Sequence, residues 1–128
     1  MKDRKFSVRV KSAIELTTED IDDIMVGALE GGITYWADRA DVVEEKRCGE
    51  WGHEQIARGG SLMIHDFESE KTHELNLENF LSGFRTWVEK GYDYYGAVTK
   101  GKVDCFHIDG YCADAIVQCA LFGDVIYG

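Results

Sequence analysis

Three stretches of this 128-residue chain repeat their apolar side chains at helical spacing, and the stretches between them alternate with the period of a strand. A period of 3.6 builds one apolar stripe and a period of 2 builds one apolar face; each needs another element to cover it. The first stripe is Ile21, Ile24, Met25, Ala28 and Leu29. Thr17-Thr18-Glu19-Asp20 precedes it, a hydroxyl cap with acids where the helix dipole favours them. The second stripe is Leu77, Phe80, Leu81, Phe84 and Val88, with Trp87 beside it, and predicts a helix over 77–90 that ends at Gly91. The third carries Ala113, Ile116, Val117, Ala120 and Leu121 behind an Asp109 cap and ends at Gly123.

Between these stripes the period changes. Val8, Val10, Ser12 and Ile14 alternate with Arg9, Lys11, Ala13 and Glu15, which predicts one half-buried strand over 6–16. Residues 61–67 and 72–77 flank the polar turn Glu68-Ser69-Glu70-Lys71 and read as a hairpin with a four-residue loop. Ala40-Asp41-Val42-Val43 reads as a short strand, and Asp124-Val125-Ile126-Tyr127 as a closing one. His53 to Arg58 is a short helix closed by Gly59-Gly60, and 92–108 reads as a loop. No βαβ unit repeats. The pattern predicts a single α+β domain over 1–128: mainly antiparallel sheet with a central hairpin, packed against about three amphipathic helices. The chain has fourteen glycines and no proline, so glycine alone marks the element ends.

Charge narrows the function classes. There are 24 acidic and 14 basic side chains, a formal net charge of −10. Direct nucleic-acid binding and attachment to anionic membrane both call for a basic patch, so neither is expected. Residues 1–11 nevertheless hold five basic groups and one acid, which leaves nine basic against 23 acidic groups in the rest. No apolar run reaches the roughly 18 residues of a membrane span, and the basic start lacks a signal peptide's apolar core. The expected location is therefore the cytoplasm. Cys48, Cys105, Cys112 and Cys119 are expected to remain thiols there.

Few motifs carry chemistry. His53-Glu54-Gln55-Ile56-Ala57 opens like a zinc-protease helix, but Ala57 stands where the second histidine ligand belongs. Cys105, His107 and Cys112 lack the paired spacing of a structural zinc site, and Cys112 and Cys119 read as small apolar core residues. The acidic runs lack calcium-loop spacing. No phosphate loop, dinucleotide fingerprint or nucleophile elbow occurs. No catalytic residue, metal or cofactor is expected.

Two constellations remain. Gly31-Gly32 precedes Tyr35-Trp36, and Arg58 precedes Gly59-Gly60. An aromatic face can stack on a base, an arginine can fork onto a phosphate, and glycine backbone lets amides approach an anion. The plainer alternative has Tyr35 and Trp36 as core or interface aromatics and both glycine pairs as helix ends. The loop tyrosines Tyr92, Tyr94 and Tyr95 are candidate interface anchors.

The segments Asp22-Asp23-Ile24-Met25-Val26, Ala28-Leu29-Glu30-Gly31-Gly32-Ile33 and Tyr35-Trp36 resemble a family of small acidic proteins from phages and prophages of Gram-positive bacteria. So do Gln55-Ile56 with Arg58-Gly59-Gly60, and the tail Ala120-Leu121-Phe122-Gly123-Asp124-Val125-Ile126-Tyr127-Gly128. The resemblance implies an accessory, anti-defence role in the host bacterial cytoplasm. Two binding roles follow as expectations. In one, a homo-oligomer sequesters a small anionic, nucleotide-type signal through Tyr35, Trp36, Arg58 and the glycines Gly31, Gly32, Gly59 and Gly60. In the other, an acidic inhibitor occupies a host defence protein as a nucleic-acid mimic, its carboxylates standing for phosphates.

Overall fold

The computed structural model describes residues 4–10 and 13–128. Lys2 and Lys11 of the basic leading segment, and Ser12 of the expected first strand, lie outside the described residues.

That first strand is two strands. β1 (Lys5–Arg9) and β2 (Ala13–Thr17) pair antiparallel, with Phe6 opposite Leu16 and Val8 opposite Ile14. Every buried apolar member is even-numbered, and this register pairs even positions with even ones. A hairpin with an odd-length connection therefore keeps all four side chains on one face, just as a single strand would. Period alone cannot separate the two structures.

Thr17 caps α1 (Thr18–Gly27): its hydroxyl accepts from the Asp20 amide, and the Asp20 carboxylate accepts from the Thr17 amide. The helix loosens into a π turn over Ala28–Gly32. A Cβ on Gly32 would lie 2.5 Å from the Gly110 carbonyl oxygen, so only glycine lets this turn meet the start of the last helix.

β3 (Ala37–Val42), β4 (Leu62–Asp66) and β5 (Lys71–Leu75) form an antiparallel sheet in that order. Asp66 pairs with Lys71, which places the four-residue hairpin loop at 67–70, one position earlier than expected. α2 (Leu77–Glu89) is capped by Asn76. Inside the expected loop, β6 (Val98–Thr99) and β7 (Lys102–Val103) make a miniature hairpin through Lys100 and Gly101, with φ of 52° and 76°. Two left-handed residues suit a two-residue hairpin turn. β7 then joins β2 in parallel, giving a second sheet of order β1-β2-β7-β6.

α3 (Gly110–Phe122) departs from an ordinary amphipathic helix: every residue from Cys112 through Cys119 is buried. α2 packs along it so closely that a Cβ on Gly83 would sit 2.4 Å from the Ala120 amide nitrogen. Trp36, Trp87, Phe80 and Phe84 are fully buried and fill the space around these helices. The result is an α+β domain with mainly antiparallel sheets, as the periodicity predicts. Among the described residues no helix is long and apolar enough to cross a membrane.

The closing strand at 124–127 does not form. The Gln118 side chain takes the place of a neighbouring strand. Its Oε1 accepts from the amides of Ile126 and Tyr127, both at 2.8 Å, while Nε2 donates to the Tyr127 carbonyl at 3.1 Å. One primary amide thus satisfies three backbone groups of the tail.

Candidate functional site

The structure separates the residues of the two glycine constellations. Arg58, at the end of the Ile56–Arg58 turn, forks onto Asp22 of α1 at 2.9 and 3.0 Å and also donates to the Glu54 carbonyl. Its guanidinium is spent on an intramolecular carboxylate. Gly59 takes a left-handed φ of 97° as the cap of that turn. Gly60 is buried, and a Cβ there would stand 2.7 Å from the Gln55 side-chain oxygen. Gly31 is exposed at the π turn, and its carbonyl accepts from the Thr34 hydroxyl.

Trp36 is completely buried. Tyr127 stacks on its face with centroids 5.6 Å apart, and Phe122 meets it edge-on at 5.5 Å. No face is left for a base. Tyr35 stays 46% exposed, and it joins Trp36 at a residue that the apolar periodicity does not single out, Asp114 of α3. The Tyr35 hydroxyl donates to Asp114 Oδ2 at 2.6 Å. Trp36 Nε1 and Gln118 Nε2 donate to Oδ1 at 2.7 and 2.9 Å. Burial, then the bond to Asp114, pushes the Tyr35 phenol well above the ordinary tyrosine range.

Asp114 is only 4% exposed, and all three of its donors are neutral. Among the described residues no lysine or arginine pairs with it. Buried carboxylates are normally matched by a cation, because desolvating a charge is costly. Here the negative charge is solvated by donors and left uncompensated.

Above Asp114 opens a cleft of about 240 Å³ walled by Tyr92, Tyr94, Tyr111, Val125 and Tyr127. The Tyr92 and Tyr94 rings stand 6.4 Å apart at 52°, two walls meeting at an angle. The surrounding charges are acidic. Burial, the hydrogen bond to Asp109 and the charges of Asp109 and Asp93 push the Cys112 thiol up to about 12, which favours its protonated form. The Lys90 ammonium and the Tyr92 hydroxyl hold Asp124 down to about 2, and Asp124 in turn raises Tyr92 to about 12. Lys90 thereby spends its charge on Asp124, at 2.8 Å.

Beside the cleft stands a group of exposed aromatics: Tyr94, Tyr95, Tyr111 and Phe106, the last 90% exposed. Tyr95 and Phe106 share a second depression with His107 and Asp109. A roomier, open groove of about 580 Å³ is lined by Val10, Ala13, Val88, Val98 and Lys100. Among the described residues no three His, Cys, Asp or Glu side chains gather in a metal-holding arrangement. Cys105 is instead a half-buried thiol facing Asp20, raised far above its usual range by burial and by the charges of Asp20 and Asp23.

The apolar stripes pass over Asp114 and Gln118. The signal was present: between Cys112 and Phe122 they are the only polar residues, four apart and so on one helix face. An isolated polar pair in an apolar helix marks a buried network, since lone polar groups are not tolerated there.

No family model, curated protein or solved structure matches the chain.

Proposed function

We propose that this chain is a non-catalytic binding protein, an accessory factor of the phage anti-defence kind that its sequence resembles, and that it occupies a basic surface of a host protein. The observation that carries this reading is the face built by 92–95 and 105–111. There Tyr94 and Tyr111 line the cleft, Tyr95 and Phe106 line a second depression with Asp109, and all four rings are exposed. Interface centres are enriched in aromatics, and a complementary charge field steers and orients the partner. Lysine and arginine on the partner match this acidic rim. A second copy of the chain would bring like charge against like charge, so the face favours a different, basic protein.

Sequestration of a nucleotide-type anion draws less support. Its phosphate-holding residue, Arg58, is committed to Asp22, and the Trp36 face is covered by Tyr127. The cleft that remains, about 240 Å³, falls below the about 300–1,000 Å³ of common small-molecule sites and contains no cation among its lining residues.

The test uses two probe sets on the whole protein: lysine-rich and glutamate-rich peptides of equal length, and a nucleotide panel, read by calorimetry and thermal shift. The reading predicts binding of the lysine-rich peptide, weakened as salt rises and weakened again by Phe106→Ala. A thermal shift with a nucleotide that disappears in Arg58→Ala would overturn it in favour of the anionic ligand. Equal binding of both peptides would also overturn it.

A further inference from the structure

We propose that the tyrosine cleft is a cage for an organic cation, an ammonium or guanidinium head, with Asp114 as its counter-charge. This deepens the proposed function by naming what one basic group of the partner would enter. Three observations converge. First, Asp114 is buried beneath the cleft with no cationic partner among the described residues, and it accepts three hydrogen bonds from neutral donors. A carboxylate offers roughly four acceptor sites, so one stays open. Second, the walls are aromatic: Tyr92 and Tyr94 meet at 52°, with Tyr111 and Tyr127 completing the lining. Ring faces attract cations through their quadrupole, and cages of this kind take quaternary ammonium and methylated lysine heads. Third, the cleft's size suits a side-chain head rather than a nucleotide, and the charges flanking it at Asp93 and Asp109 repel anions.

The same chemistry has two sources, a basic side chain on a protein or a free organic cation, and one experiment separates them. Tetramethylammonium chloride is titrated into the labelled protein while the methyl signals of Ala115 and Val125, which line the cleft, are followed by NMR. Tert-butanol, neutral and of similar shape, is the control. The cage predicts shifts with tetramethylammonium and none with tert-butanol at the same concentration. Removing one wall, by Tyr94→Ala or Tyr111→Ala, is expected to weaken binding roughly five-fold. Both side chains are about two-thirds exposed, at 66% and 65%, so these variants keep the fold. Displacement of tetramethylammonium by the lysine-rich peptide identifies a partner's side chain as the occupant; peptide binding without displacement identifies a free cation.

Equal response to the neutral control, or no response to tetramethylammonium, overturns the cage. If the peptide still binds in that case and Phe106→Ala weakens it, the basic-partner reading stands while the cage falls. If tetramethylammonium binds and the peptide does not, the reverse holds.

Discussion

Replacing Gln118 with methionine tests the tail architecture at a single position. Methionine nearly conserves length and volume, so the helix and its packing are retained while the amide is lost. Three hydrogen bonds to the tail backbone disappear, from the amides of Ile126 and Tyr127 and to the Tyr127 carbonyl. The second N–H loses its bond to Asp114 inside the network. Asp114 keeps Trp36 and Tyr35 as donors, so it is not stranded. The cost therefore falls mainly on the tail. At a net ~1 kcal/mol per bond, its three bonds amount to about 3 kcal/mol. For a domain of this size, each kcal/mol corresponds to roughly 4 °C in Tm, which makes the expected drop about 12 °C. Calorimetry measures the total, and amide hydrogen exchange at Ile126 and Tyr127 locates it. Tyr127 also stacks on Trp36 and donates to Asp66 at 2.7 Å, so a loosened tail is expected to change Trp36 fluorescence. Unchanged protection of those two amides, with a Tm within about 3 °C of the parent, would show that the glutamine does not hold the tail.

Two further predictions concern packing and pH. Gly83→Ala places a Cβ 2.4 Å from the Ala120 amide nitrogen and is expected to cost about 3 kcal/mol or more. Gly31→Ala, with nothing within 4 Å, is expected to stay within about 0.5 kcal/mol in denaturant titrations. Asp124 has its folded pKa lowered from 3.8 to about 2, first by Lys90 and then by Tyr92, so its contribution is present above pH 3.8 and is lost as pH falls toward 2. Tyr92 is raised from 10.0 to about 12 by Asp124, so its contribution is present below pH 10 and is lost as pH rises toward 12. Tyrosinate absorbance is expected to lose a step near 12 in Tyr92→Phe, while the late ionisation of Tyr35, raised by burial and Asp114, is retained. A Tyr92 step near pH 10 would refute the pairing.

Much of the fold follows from local rules. Thr17 and Asp109 cap the helices expected of them, Gly123 ends the last helix in a left-handed conformation, and the β4–β5 hairpin differs by one position. Each feature is decided by a few consecutive residues. The failures share a cause. The apolar residues at 6–16 fit a strand or a hairpin equally, because even-to-even register preserves the pattern. The tail at 124–127 has the composition of a strand, yet its hydrogen bonds go to one side chain of α3.

The candidate site was less legible. Arg58 and Trp36 are residue types suited to ligand recognition, and spacing along the chain does not report that Asp22 already holds the first and Asp114 the second. Their availability depends on which side chains arrive from 36 and 78 residues away in sequence. The tyrosines at 92 and 94 were visible as anchors, whereas the cleft they form needs Tyr111 and Tyr127 from α3 and the tail.

By itself the sequence determined the class: periodicity set helices and strands, glycine set their ends, and an excess of carboxylates set the sign of the surface field. Only the tertiary structure decided which charges remain available. Pairing neutralised Arg58 and Lys90, while burial left Asp114 among neutral donors beneath four tyrosines. A charge count is additive along a chain, but a local field depends on which opposite charges fold together. That is why a chain whose sequence offers Arg58 to an anion folds with that arginine paired to Asp22 and with Asp114 held by neutral donors alone.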